Sequence, residues 1–202
     1  MKVAIIKYNA GNIQSVKYAL ERLGVHPILT DNPEEILAAD KVIFPGVGEA
    51  KSAMNYLREH HLVDLIKSLK QPVLGICIGQ QLMCGYSEEG DTTCMGIFPV
   101  KVRQFPKNVK LNGESLKIPH MGWNSIQFEE GYPLFKSLHS DAYVYYVHSF
   151  CADLSEEYTV ATTQYATKYS AALQKDNFYA VQFHPEKSGE VGEQILRNFL
   201  DL

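Results

Sequence analysis

The sequence predicts an α/β fold of three layers, with a mostly parallel central sheet extended by antiparallel strands. Three observations carry this. Over roughly the first ninety residues, short apolar runs alternate with stretches of helical spacing, the pattern of right-handed βαβ crossovers and a parallel sheet. Further on, closely spaced strand-like runs separated by turn residues add antiparallel strands. Finally, four segments of chemical interest fall where predicted strands end, the place where open α/β sheets gather their chemistry.

The elements follow in order. Residues 2–8 (KVAIIKY) read as a strand whose apolar centre, Val3-Ala4-Ile5-Ile6, suits cover on both faces. After the turn Asn9-Ala10-Gly11-Asn12, Ile13, Val16, Leu20 and Leu23 recur at helical spacing and Gly24 closes the helix. Residues 26–30 form a second strand. Asp31-Asn32-Pro33-Glu34-Glu35 then opens a helix with a cap residue, an early proline and acids in the first turn. Residues 41–44 form a third strand ending in Pro45-Gly46-Val47-Gly48. A helix runs through Met54 and Leu57 and on across 62–69, before a fourth strand at 72–76 (PVLGI). Residues 97–105, 116–119, 124–128, 143–150, 158–163, 170–174 and 179–183 are strand-like. Val191, Ile195, Phe199 and Leu200 mark a last amphipathic helix.

Composition bounds the function. Of the 202 residues, 46% are hydrophobic and 21% charged, as in an ordinary globular chain. A chain of this size should expose about 9,600 Å² and hide about 70% of its extended surface, enough for a substantial core. A net charge of −4 gives no basic footprint for nucleic acid. No apolar run approaches the roughly 18 residues of a membrane span, and residues 1–7 are too short and interrupted for a secretory signal. The cysteines at 77, 84, 94 and 151 show neither C-x-x-C pairing nor metal spacing. They read as reduced thiols of a cytoplasmic protein, each to be judged alone. Without repeats, low-complexity tracts or linkers, residues 1–202 read as a single domain.

Three motifs carry chemistry. Gly75-Ile76-Cys77-Ile78-Gly79 lies between a predicted strand and a helix, the geometry of a nucleophile elbow with sulfur in place of hydroxyl. Such a turn strains the central residue and leaves no room for flanking side chains. It also lifts the cysteine onto a helix N-terminus, where the thiolate is favoured, and aims the Ile78 amide where an oxyanion would form. The second motif is Gln182-Phe183-His184-Pro185-Glu186 at a strand end. His184 can exchange a proton near neutral pH, and Glu186 is placed to hold its second nitrogen. The third, Gly46-Val47-Gly48, can turn backbone amides inward as an oxyanion hole. Each has a plainer alternative when taken alone: a packed structural thiol, a surface histidine beside a solvated glutamate, and a tight turn.

In combination these motifs resemble the class I, triad-type glutamine amidotransferases, and the likeness spans essentially the whole chain. Pro119-His120-Met121-Gly122-Trp123-Asn124 and His184-Pro185-Glu186-Lys187-Ser188-Gly189 narrow it to glutaminase subunits that serve a (β/α)8-barrel cyclase subunit. The resemblance implies that Cys77 attacks the side-chain amide of L-glutamine, that His184 shuttles the proton and that Glu186 orients His184. It further implies that Ile78 and the turn Gly46-Val47-Gly48 hold the oxyanion, that Gln81 and Glu89 hold the amino-acid end, and that the backbone of His148, Ser149 and Phe150 lines the pocket. No cofactor or metal is implied. Asn12, Trp123, Tyr145 and Lys187 are the expected cyclase contacts, although Trp123 could equally be core, Lys187 a solvated charge and Tyr145 a buried strand residue. Two other functions share some of these features: a stand-alone cysteine hydrolase of γ-glutamyl or peptide bonds, and a non-catalytic subunit that only shapes a complex. Gln80, where methionine is common, and Phe150, in place of a frequent tyrosine, are the departures from the family pattern.

Overall fold

The computed structural model describes residues 1–8, 13–46, 48–111 and 114–202. The first half alternates strands and helices as β1 Val3–Ile6, α1 Ile13–Arg22, β2 Ile28–Thr30, α2 Pro33–Leu37, β3 Lys41–Phe44, α3 Ala50–Glu59, α4 Leu62–Ser68, β4 Val73–Ile76 and α5 Ile78–Met83. The α2 start follows the capping rules, with Asn32 Oδ1 accepting from the Glu34 amide at 2.8 Å and Pro33 opening the first turn. The later chain adds β5 Tyr86–Ser87, β6 Thr92–Thr93, β7 Lys101–Gln104, β8 Lys110–Leu111, β9 Glu114–Ser115, β10 His120–Ser125 and β11 Gln127–Phe128. It continues with β12 Tyr143–His148, β13 Phe150–Ala152, β14 Thr159–Gln164, β15 Lys168–Lys175, β16 Phe178–Val181 and α6 Gly189–Leu200. Short 3₁₀ turns cover Pro133–Phe135 and Pro185–Lys187.

The main sheet runs β2-β1-β3-β4-β16-β15-β13-β7-β5-β6, with β14 and β11 branching from β15. Strands β2, β1, β3, β4 and β16 form a parallel block. From β15 onward the neighbours are antiparallel, apart from the β5–β7 pair.

Strands β1, β3, β4 and β16 are buried at every residue, and their alternating side chains feed two separate apolar layers. Ala4, Ile6, Val42, Phe44 and Val73 meet Ile36, Met54, Leu57, Leu62, Ile66, Ile78 and Leu82 of α2, α3, α4 and α5. Val3, Ile5, Ile43, Leu74 and Ile76 meet Val16 and Leu20 of α1 and Ile195, Leu196 and Phe199 of α6. The sheet is thus the middle of three layers. The exposed area is 9681 Å², in line with the size expectation.

Four readings of elements change. The helix expected through 54 to 69 is broken, because His61 takes left-handed angles (φ 56°) between α3 and α4. Residues 116–119 are not a strand but a loop reaching β10. Of residues 97–105, only Lys101–Gln104 pairs. β10 and β12 do not extend the central sheet; they form their own two-stranded ladder, running from His120 opposite His148 to Ser125 opposite Tyr143. The predicted turn over residues 9–12 lies outside the described residues. Among the described residues, no helix is long and apolar enough to cross a membrane.

Candidate active site

Cys77 stands between β4 and α5 with φ 55° and ψ −109°, angles a side chain adopts only under local constraint. Both flanking glycines are required by contact. A Cβ on Gly75 would come within 2.9 Å of Met83 Sδ and 3.0 Å of the Gly79 carbonyl carbon, and one on Gly79 would run into the Phe44 carbonyl oxygen. The turn therefore exists because α5 folds back tightly onto the end of β3. The Cys77 amide donates to the Val181 carbonyl at 2.8 Å, tying the turn to β16, the strand that leads to His184.

His184 is held from both sides. Its amide donates to the Tyr145 carbonyl at 2.9 Å. The Ser188 hydroxyl donates to the His184 carbonyl at 2.6 Å and accepts from the Tyr145 amide at 2.9 Å. The ring Nδ1 lies 2.7 Å from Glu186 Oε1, with the two side chains 2% and 1% exposed. Since the carboxylate accepts, Nδ1 carries the hydrogen and Nε2 is left as the working nitrogen. Nε2 is buried with no hydrogen-bond partner, at the end of the strand paired with the one that leads into Cys77. Burial pushes the imidazole pKa down, but the influence of nearby Cys77, followed by the hydrogen bond and charge of Glu186, outweighs it and raises the pKa above the ordinary value. Catalytic contacts in resting sites often tighten only when substrate arrives.

Beside the sulfur opens a cleft of about 300 Å³, lined by Gly48, Cys77, Ile78, Gln81, Glu89, Pro119, Val147, His148, Ser149 and Phe150, a size suited to a small ligand. Every residue expected at the glutamine pocket is there. Ile78 is the first residue of α5, whose leading amides lack partners within the helix. Gly46 and Gly48 sit at φ 155° and 145°, angles that glycine reaches freely. Val47 lies outside the described residues. Glu89 Oε2 accepts from the Ala50 amide at the start of α3, at 2.8 Å. Burial raises the Glu89 pKa, the Ala50 N–H works against that, and Glu49 adds to it.

The Phe150 carbonyl accepts from Gln81 Nε2 at 3.0 Å and lies 2.7 Å from His148 Nδ1. Around His148 sits a buried aromatic nest: His148 Nε2 is 3.2 Å from both His120 Nδ1 and the Tyr169 hydroxyl, and His120 stacks on Tyr165 at 3.8 Å. Burial lowers the pKa of His148 to about 3 and of His120 to about 4. Both imidazoles are therefore neutral at physiological pH.

Sequence reasoning passed over Gln182, a fully buried amide whose Nε2 lies 3.7 Å from Cys77 Sγ and whose Oε1 accepts from Gln81 Nε2 at 2.9 Å. Its signal was a polar residue set inside an apolar run that ends in the histidine motif. Pro119 and Val147 were also passed over.

Trp123 and Tyr145 lie together on the β10–β12 ladder. Trp123 is 55% exposed and meets Tyr145 edge-on at 6.0 Å. Lys187 is exposed on the turn that carries Glu186. Asn12 lies outside the described residues. Cys84, Cys94 and Cys151 are buried free thiols away from the cleft. Burial raises each of their pKa values, that of Cys151 to about 12 and that of Cys94 to about 11.

Comparison with known proteins agrees with this geometry. The family model described as Glutamine amidotransferase class-I matches residues 4–202. The Bacteroides fragilis protein named imidazole glycerol phosphate synthase subunit HisH is 56% identical over 202 residues, covering all of both chains. Its Idiomarina loihiensis counterpart is 43% identical over all of this chain and 98% of its own. Among solved structures, a Thermotoga maritima glutamine amidotransferase matches with a TM-score of 0.64 at 16% identity, covering all of this chain and 83% of its own. Another glutamine amidotransferase matches with a TM-score of 0.73 at 17% identity, over 98% and 97% of the two chains. On both the family match and the full-length relatives, the chain belongs to the class I glutamine amidotransferase family.

Proposed function

We propose that the chain is the glutaminase subunit of an imidazole glycerol phosphate synthase. The reading rests above all on one observation: a buried His184 bonded to Glu186, following the strand paired with the one that leads into Cys77, beside a small-ligand cleft that Cys77 lines. The full-length identity to HisH subunits names the enzyme.

Cys77 Sγ attacks the side-chain carbonyl of L-glutamine as its proton passes to His184 Nε2. The tetrahedral oxyanion takes hydrogen bonds from the Ile78 amide and the Gly46-Val47-Gly48 turn. Collapse breaks the C–N bond, His184 returns the proton to the departing ammonia, and water then hydrolyses the thioester to glutamate. Glu186 keeps His184 in the useful tautomer. Gln81 and Glu89 hold the amino-acid end of the substrate, against the backbone of His148, Ser149 and Phe150. The chemistry requires no cofactor.

Ammonia released into water would be protonated and lost as a nucleophile, so the cleft works beneath a partner. That partner is a (β/α)8-barrel cyclase subunit in a heterodimer. It uses the ammonia to make imidazole glycerol phosphate and an aminoimidazole carboxamide ribotide, in histidine biosynthesis. Asn12, Trp123, Tyr145 and Lys187 contact it. Unpaired thiols suit the reducing cytoplasm.

The test is Cys77→Ala in the assembled complex. Glutamine-dependent synthesis should fall by at least about 10³-fold while synthesis from ammonium salts stays within about twofold. Retained glutamine use would remove Cys77 from the chemistry; loss of both activities in an intact complex would refute the division of labour.

A further inference from the structure

Gln182 sits beside the sulfur with a side chain that is wholly buried. A buried primary amide has two faces, an acceptor and a donor, and which face meets the sulfur decides whether it helps or opposes ionisation. The surrounding bonds settle this. The Phe150 carbonyl can only accept, so Gln81 must present its NH₂ there, at 3.0 Å. The same Gln81 NH₂ then meets Gln182 at 2.9 Å, and that contact requires the Gln182 carbonyl oxygen. The remaining face of Gln182, its NH₂, is therefore the one directed at Cys77 Sγ, at 3.7 Å. His148 Nδ1, 2.7 Å from the same Phe150 carbonyl, fills that oxygen's second acceptor position as a donor. Polarity thus runs one way, from a backbone carbonyl of the pocket wall through two glutamines to the nucleophile.

We propose that Gln182 is a donor to the nucleophilic sulfur, with Gln81 as the positioning residue that keeps the Gln182 amide turned the right way. As the thiol proton moves to His184 Nε2, the negative charge left on sulfur is met by an N–H that already points at it. The hydrogen bond becomes charge-assisted at the moment the thiolate forms, and no reorientation is required around a cysteine that is itself buried. The proposal rests on Cys77 being the nucleophile. It adds a second stabiliser beside the imidazolium, from a different direction, and it gives Gln81 a duty independent of touching glutamine.

The readout is the thiol itself. The rate of carbamidomethylation of Cys77 by iodoacetamide is followed in the full chain against pH, with the adduct located by peptide mass spectrometry. The titratable groups facing the sulfur are His184 from the turn after β16, Tyr8 from the end of β1, and His148 and Glu89 across the cleft; all are unchanged in the variants used. Gln182→Met should raise the midpoint of the alkylation profile by about one pH unit, a roughly tenfold loss of thiolate at a pH below both midpoints. Gln81→Met should raise it in the same direction, because the Gln182 amide is then free to turn its carbonyl toward sulfur. Gln80→Met changes a neighbouring buried glutamine whose Nε2 bonds the Ser170 carbonyl instead, and should leave the midpoint where it is. An unchanged midpoint in folded Gln182→Met overturns the proposal. If that variant does not fold, an unchanged midpoint in Gln81→Met does so, as does a shift of equal size in Gln80→Met. Failure of the wider reading would be seen separately, as glutamine hydrolysis surviving Cys77→Ala.

Discussion

At the scale of single residues, the site depends on positions where a methyl group does not fit. Gly75 and Gly79 are explained by the elbow, and the sequence announced both through their spacing about Cys77. Gly192 was invisible. It lies on α6, three residues past the end of the His184–Gly189 motif, yet a Cβ there would run into the Pro185 carbonyl oxygen and come within 2.8 Å of Ser188 Cβ. Backbone cannot yield as a flexible side chain can, so the turn carrying His184 and Glu186 would have to move. Gly192→Ala is expected to cost about 1–3 kcal/mol, roughly 2–4 °C of Tm per kcal/mol in a chain of this length. It should also lower glutaminase kcat by about tenfold or more if His184 is the base proposed above, because small misplacements of a catalytic group are expensive. A melting curve and a rate both equal to wild type would refute this. Gln182 escaped notice for a related reason: a polar residue in an apolar run declares that it has partners, but their identity depends on two strands and a helix that meet only in three dimensions.

At the scale of elements, the parallel block was legible because each strand is buried on both faces and reads as a continuous apolar run. The α3–α4 break was not. Leu57, Leu62 and Ile66 are all fully buried, so the apolar rhythm continues across a backbone that has already turned at His61. Nor could alternation alone tell that β10 and β12 pair with each other apart from the central sheet. That ladder brings His120 opposite His148, which has a consequence for pH. Both rings are buried and hold their pKa values below the ordinary histidine value near 6.5. The unfolded chain therefore takes up protons that the native ladder refuses, and stability is lost as pH falls below about 6.5. For His148 the loss amounts to about 2 kcal/mol by pH 5. His184 has the opposite sign: its raised pKa stabilises the fold below about 6.5, and that contribution fades as pH climbs through the raised value. In thermal melts at pH 5, 6 and 7, wild type should lose more than His148→Gln does on acidification, whatever their offset at pH 7. Parallel curves would show that His148 titrates normally.

For the molecule as a whole, two apolar layers on either side of one sheet account for its solidity, and the β10–β12 ladder leaves one face with large side chains uncovered. Met121 is 63% exposed and Tyr143 60%, flanking the exposed Trp123. An exposed aromatic patch of this kind is what the proposed cyclase contact requires. Since Trp123 contributes little to the core, Trp123→Ala should leave Tm within about 2 °C of wild type while weakening association with the cyclase by about 10–100-fold, as measured by calorimetric titration. A large loss of Tm with unchanged affinity would return Trp123 to a structural role. The order of the strands has one more effect. Cys77 and His184, the proposed nucleophile and base, follow neighbouring strands, β4 and β16, yet about a hundred residues of chain separate them. β16 takes its place in the middle of the sheet, between β4 and β15. A nascent polypeptide still emerging from the ribosome can present its cysteine but nothing to activate it, so ammonia production begins only once synthesis of the catalytic sheet is complete.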